Sequence, residues 1–514
     1  MNIYKYVIAL VSVIWLSSCS KDLGNYDYSD INELTINGVS SNYNVRTGID
    51  TLRIQPTITA TLDGADTSRY EYLWILRTGT TERDTIGRQR NLIYPVRLNP
   101  VPHDLYYRVL DRETGVTWTA NTTITVGTIL SRGLLIIGED ENGFAEAEML
   151  SMISDTVHIR NILSTSGLSP LREPVSLVHT GGSEAYIRLW AMTKTGSYYL
   201  DRATMAASTD NNFSRFIYIS EYIDPETLHP VVIAPQIRTG AGAIGSTLYR
   251  AIVTTGGDIF AGVPLLMGGD YYNNPVNRVA AEQEVRLPAA PYLLYPIGAM
   301  NNFMWYDVKN QRFLSFTSIG VATASTVLTD GADDIFPWNQ PTGRTLVYAE
   351  NTRNTDGGSI NGNSFAIMRD SDNTHHIYKF YANGTNPAKR GAYIVKSMAV
   401  DFNKADFYAF SSNRSVIFYS VGGILRAYDY NPGFEKIYTF PEIGDHTITM
   451  LKFDTQIDHE TNSLYIGTYS PDTKGTLRRY RVGANPNTVE LLLQENSTWS
   501  DMIKIKDINW RASN

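Results

Sequence analysis

One local pattern recurs along most of this chain: two β-rich runs joined by a short polar turn. Leu134-Leu135-Ile136-Ile137-Gly138 turns at Asp140-Glu141-Asn142-Gly143 into the run 144–150, and Leu189-Trp190-Ala191-Met192-Thr193 turns at Lys194-Thr195-Gly196 into Tyr198-Tyr199-Leu200-Asp201. Phe303-Met304-Trp305-Tyr306-Asp307 turns at Lys309-Asn310 into 312–317, and four more turns fall at Gly256-Gly257, Asp372-Asn373, Gly422-Gly423 and Asp472-Thr473. The seven turn centres are spaced by about 55 residues. A unit of that length with several short strands and no helix cannot bury both its faces alone, so neighbouring units must cover one another.

That requirement predicts a β-propeller over residues 128–514, seven-bladed if each hairpin marks one blade. Six or eight blades stay open, because the outer strands of each unit are less legible. A ring also needs a strand from one end of the chain to complete a sheet begun at the other. The alternating run Ile503-Lys504-Ile505-Lys506-Asp507-Ile508 is the candidate. A string of immunoglobulin-like sandwiches, the main competitor, would repeat every ~90–100 residues. The phrase 189–201 also resembles the middle hairpin of blades in YVTN, NHL and other non-WD propellers.

Composition agrees with an all-β chain. Aromatics make up 11%, with 33 Tyr against 17 Phe, and runs with a 3.6-residue period are nearly absent. A net charge of −8 and the lack of any Lys/Arg block argue against nucleic acid as a partner.

The N-terminus constrains location. Cys19 is the only cysteine, so it has no intrachain disulfide partner. Lys5 precedes an apolar run of 11 residues from Tyr6 to Leu16, and Ser17 and Ser18 lead into the cysteine, which is how a signal peptide ends. Leu16-Ser17-Ser18-Cys19 resembles a bacterial lipobox, which implies cleavage after residue 18 and acylation of Cys19, a membrane anchor through buried methylenes at ~0.8 kcal/mol each. An ordinary secretory signal with a chance cysteine is the alternative. Residues 19–30 are then a polar tether. Lys21 and Asp22 in it resemble the signal that exports Bacteroidetes-type lipoproteins to the outer face of the outer membrane.

From 31 to 127, β-rich runs alternate with turns at the spacing of a small sandwich. The runs 51–58 and 70–76 read as strands, the second with Trp74 pointing inward, and 106–111 with 116–126 reads as a hairpin around Glu113-Thr114-Gly115. The series Tyr70-x-Tyr72-x-Trp74, then Tyr107-Arg108-Val109-x-Asp111, a Thr-Gly turn and a Thr/Val-rich last strand resembles a PKD-type immunoglobulin-like domain. With Gly24-Asn25-Tyr26-Asp27-Tyr28 ahead of it, the region is similar to the PKD-like lipoprotein family of Bacteroidetes, in which such domains act as spacers.

Local catalytic motifs are missing: there is no Gly-x-Ser-x-Gly elbow, His-Glu-x-x-His or P-loop. Gly240-Ala241-Gly242-Ala243-Ile244-Gly245 precedes a strand rather than the helix a dinucleotide site needs, so it reads as a loop. Asp370-Ser371-Asp372-Asn373-Thr374-His375-His376 reads as a turn, since adjacent histidines on a strand face opposite ways. Neither a metal nor a cofactor is expected. Two proline- and glycine-punctuated loops carry rings without a strand to bury them. Tyr271 and Tyr272 lie in one, Phe336 and Trp338, followed by Asn339, in the other. Rings flanked by amides suit a glycan or peptide ligand, whose C–H groups lie on the ring face. Filling the gap between two blades is the other use for them.

The resemblance implies a lipid-anchored surface protein beside an outer-membrane nutrient transporter of the starch-utilisation type, binding a glycan or peptide. A hydrolase or lyase with residues scattered over several blades, and a purely structural docking subunit of the transporter, remain as alternatives.

Overall fold

The abundance of β-branched and aromatic residues is realised as strands throughout. The computed structural model describes residues 32–512 except 63–67, 80–81, 154, 182–185, 239–243, 246–248, 299, 444–445 and 458–462. The expected anchor at Cys19, the expected tether and most of the 240–245 loop lie outside the described residues. The chain divides into two compact units, one running to Val126 and the other from Gly127 onward, the latter also taking in Val45–Thr47. No helix among the described residues is long and apolar enough to cross a membrane.

The first unit has a five-stranded sheet in the order Asn42–Arg46, Thr117–Gly127, Pro102–Asp111, Tyr70–Thr78, Glu82–Gly87. Two short pairs, Leu34–Asn37 with Thr57–Ala60 and Thr51–Ile54 with Leu92–Pro95, accompany it. Trp74 points inward as its alternation requires, fully buried with its ring stacked on Tyr107 at 4.2 Å. Asp111 closes the Glu113-Thr114-Gly115 turn: its carboxylate accepts from the Glu113 amide and the Thr114 hydroxyl and takes both arms of Arg69, at 2.9 and 2.6 Å. The Arg69 guanidinium holds this carboxyl well below the usual range.

The second unit contains seven sheets of three or four strands among its described residues, besides one two-stranded pair. The first sheet is Lys504–Ala512, Arg132–Glu139, Ala145–Met152, Thr156–Ile159, and the second is Pro174–His179, Leu189–Thr193, Gly196–Leu200. The third is Pro230–Ile233, Arg250–Thr254, Ile259–Gly262, and the fourth is Phe303–Asp307, Arg312–Phe316, Thr326–Val327. The fifth (Thr345–Asn351 to Ala388–Ile394), sixth (Phe407–Phe410 to Lys436–Phe440) and seventh (Thr447–Phe453 to Leu491–Met502) each have four strands in chain order. The seven hairpins read from the sequence form ladders within these sheets, the central ladder in each of the four four-stranded ones. In the fourth sheet, isolated bridges from Ala289 to Asp307 and from Leu294 to Met304 add an inner segment ahead of its first strand.

Central strands read as unbroken apolar runs because both of their faces are buried. Leu135 and Ile137 enter a core shared with Leu177, Leu189 and Ala191 of the second sheet, while Leu134 and Ile136 enter another shared with Met450, Tyr465 and Leu477 of the seventh. Further cores join the second sheet to the third, third to fourth, fourth to fifth, fifth to sixth and sixth to seventh. The β-propeller-like arrangement therefore has each sheet sandwiched between two others, the first included.

The seam expected at 503–508 is present as the strand Lys504–Ala512, antiparallel to Arg132–Glu139 with Ile508 opposite Ile136 and a register shift between Ile137 and Gly138. At that irregularity the closing strand passes so close that a Cβ on Gly138 would lie 2.2 Å from the Lys504 carbonyl oxygen, so only glycine fits.

Candidate functional site

The strand Ile259–Gly262 leads into the short helix Pro264–Met267, which ends at Gly268 in the left-handed conformation with φ 72°. The following segment pairs with residues 216–218: the Tyr218 amide donates to Tyr272 O at 2.7 Å and the Tyr272 amide to Phe216 O at 2.9 Å. In extended backbone, neighbouring side chains leave in opposite directions, and the paired tyrosines separate accordingly. Tyr272, 0% exposed, turns into the core between the second and third sheets beside Phe213 and Phe260. The expectation that both tyrosines face a ligand is corrected on this point. Tyr271 stays half-buried at the surface, with Phe216 against it at 5.8 Å and Tyr218, 62% exposed, edge-on at 5.7 Å. Asn273 and Asn274 beside them are exposed, and Asn274 Oδ1 accepts from the Ser220 amide at 2.8 Å.

The second ring-bearing loop does not present its rings. Phe336 and Trp338 are 2% and 5% exposed and fill the core between the fourth and fifth sheets, Phe336 stacking on Tyr378 at 4.2 Å. Lys389 lies over both rings at 5.5 and 5.1 Å and pairs with Asp330 at 2.8 Å and with Asp334. Burial alone would raise the Asp330 carboxyl. Lys389 and the amides of Trp338 and Asn339, at 2.6 and 3.0 Å, overcome it and hold the carboxyl down at about 2. Asn339 is exposed, but its side chain donates to Leu328 O and Asp330, each at 2.9 Å. The rings plug the gap between two sheets, so their expected exposure is corrected too. Tyr271 and Asn339 sit on different sheets and do not form one site.

A polar network runs along the inner strands. Lys452 of the seventh sheet donates to Asp507 and Ile508 O at 2.8 Å and to Asn509 at 3.0 Å on the closing strand, while Ser176 of the second donates to Asp507. Where these strands end, Gln456 donates to Gln236 O, in the loop after Pro230–Ile233 of the third sheet, at 2.8 Å and accepts from the Trp510 amide at 2.9 Å. Arg353 from the fifth reaches Thr455 O at 2.8 Å. Bonds between sheets so far apart in the chain require these strand ends to converge on a common axis. A pocket of about 280 Å³, counting space open to solvent, lies beside them, lined among others by Lys452, Asp454, Gln456, Tyr465, Asn509 and Trp510.

Glu350, on the inner strand of the fifth sheet, accepts from the Phe410 amide and from the Tyr348 hydroxyl, the latter at 3.0 Å. Burial pushes its carboxyl up to about 8, against the pull of those bonds and of Lys452. The folded chain thus keeps a proton that the unfolded chain, with a carboxyl near 4.5, releases. Stability should therefore fall as pH rises from about 4.5 and level off above about 8. Denaturant titrations across that window should show this slope reduced in Glu350→Gln.

His375 and His376 face opposite ways on their strand: His376 pairs with Asp370 at 2.8 Å while the His375 ring lies edge-on to Phe402. Among the described residues no three of His, Cys, Asp and Glu converge on a possible metal position. Phe216, Tyr218, Glu350 and Lys452 escaped the sequence reading. The alternation Phe216-x-Tyr218 next to polar Ser220 was the available signal for the surface rings.

The PKD-like family model matches residues 19–167. That match reaches beyond the first unit to include three of the four strands of the first sheet, and covers less than a third of the chain. No curated protein sequence matches. Among solved structures, a quinonprotein alcohol dehydrogenase-like protein of Bacteroides thetaiotaomicron is 12% identical, with 92% of this chain and 97% of that one covered and a TM-score of 0.36. The extracellular domain of a hybrid two-component system from the same organism is 10% identical over 88% and 66%, TM-score 0.36. PorZ, a surface component of the type-IX secretion system of Porphyromonas gingivalis, is 10% identical over 79% and 66%, TM-score 0.15.

Proposed function

We propose that the chain is a lipid-anchored outer-surface protein, tethered through Cys19, whose PKD/Ig-like domain spaces a seven-bladed propeller from the membrane. The propeller serves as a ligand-binding or accessory module of a glycan or peptide uptake system. The blade count is supported by seven sheets with seven cores and a C-terminal strand in the first sheet. The observation that carries the binding role is the surface ring pair Tyr218, 62% exposed, and half-buried Tyr271, which stacks on the core-packed Phe216, with exposed Asn273 and Asn274 beside it. Aromatic surface left exposed where the fold buries so many other rings is the mark of a recognition surface.

Two measurements test this. Intact mass of the membrane fraction should show an acylated N-terminus at Cys19 that Cys19→Ala lacks; an unmodified wild-type N-terminus contradicts the anchor. Binding of extracellular polymers should weaken at least about tenfold in Tyr271→Ala, the usual loss for an aromatic anchor, with no product formed.

A second reading has one observation in its favour. A carboxylic acid protonated near neutral pH beside a tyrosine hydroxyl, on an inner strand, is the kind of group that general acid catalysis uses. Turnover of a polymer that Glu350→Gln abolishes would favour it over pure binding.

A further inference from the structure

Building on the reading of Tyr271 and Tyr218 as a binding surface, we infer that its ligand is an uncharged, hydroxyl-rich chain, a neutral saccharide, and neither a peptide nor an acidic glycan. The backbone of this surface is already used: residues 216, 218 and 272 bond to one another, the Tyr271 amide donates to Gly269 O at 2.9 Å and the Ser220 amide to Asn274. Residues 216–218 and 272 are already paired with one another, so that edge does not take up a peptide strand.

Its charges are likewise spent. Glu221 pairs with Arg278 and, at 3.3 Å, with Arg286, which also holds Asp258 at 2.7 Å. Asp270 is buried against Arg250, and Arg215 faces Asp210 at 3.3 Å. A peptide terminus or a uronate would have to compete with these existing ion pairs, and the net charge of −8 opposes an anionic chain from a distance.

What remains is ring surface and neutral polar groups. Neither the Tyr218 nor the Tyr271 hydroxyl makes a hydrogen bond among the described residues, and the exposed Asn273 amide is equally unengaged. Each tyrosine hydroxyl can donate once and accept, and the amide can do both. That set matches sugar hydroxyls around C–H faces laid on a ring.

The test is titration of the full-length chain in detergent with three probe sets: neutral gluco- and xylo-oligosaccharides, polygalacturonate fragments, and unstructured peptides. Neutral probes are expected to bind with affinity insensitive to salt, to weaken at least about tenfold in Tyr271→Ala, and to weaken severalfold in Tyr218→Phe and Tyr271→Phe, which keep the rings. Peptide or acidic-glycan binding that depends on these tyrosines overturns the inference while the binding surface stands. Failure of every probe, or binding indifferent to both tyrosines, overturns the binding surface and the inference together.

Discussion

A chain truncated after Met502 is expected to lose the cooperative unfolding of its second unit. The truncation removes the strand that pairs with Arg132–Glu139 over its whole length. It also removes Ile505 and Ile508 from the core between the seventh and first sheets, each side chain representing about 1.5–3 kcal/mol of burial. Lys452 loses its three acceptors on that strand at the same time. Arg132–Glu139 would become an open edge flanked by exposed apolar surface. These losses compare with the whole stability of an ordinary domain, about 5–15 kcal/mol. Denaturant melts with limited proteolysis check this, and a truncated chain with an unchanged midpoint would count against closure by the C-terminal strand.

Trp338→Ala is expected to destabilise the second unit by about 3–5 kcal/mol, the range for deleting a large buried aromatic, while leaving ligand affinity unchanged. The ring packs against Phe313, Phe336 and Phe380 and carries Lys389 above it. Its removal opens a cavity between two sheets and deprives Lys389 of a cation–π partner while Asp330 still needs its charge. Tyr271→Ala should behave in the opposite way, weakening binding with a small stability cost. Melts and titrations of both variants separate the roles, and a Trp338→Ala chain of normal stability with lost binding would reverse them.

That contrast marks how far the sequence can be read. The seven hairpins were legible because their central strands are buried on both faces, which gives unbroken apolar runs such as Leu134-Leu135-Ile136-Ile137 between turn residues. Outer strands such as Leu491–Met502 and Ala388–Ile394 are partly exposed and mixed in character, so they carry no such run. The inner segment of the fourth sheet hides behind Pro288 and Pro291 and is held by isolated bridges.

The candidate site was harder. Which of Tyr271 and Tyr272 turns inward depends on pairing with residue 217, more than fifty positions away. Phe336 and Trp338 look like loop residues because the surface that buries them comes from Tyr378 and Phe380 of the next sheet. Glu350 is one polar position near the end of an otherwise largely apolar strand, and desolvation by its surroundings raises its proton affinity. Local pattern thus marked the hairpins, while the contacts that bury one ring and leave another at the surface come from units elsewhere in the chain.

The most direct measurement of the central claim is native-state hydrogen exchange on amides 504–511 of the full-length chain. A C-terminal strand that locks the first sheet to the seventh should exchange as slowly as the central strands Arg132–Glu139 and Ser463–Ser470, through global unfolding alone. Fast exchange across 504–511, with those partners still protected, would show that the sheets hold together without it.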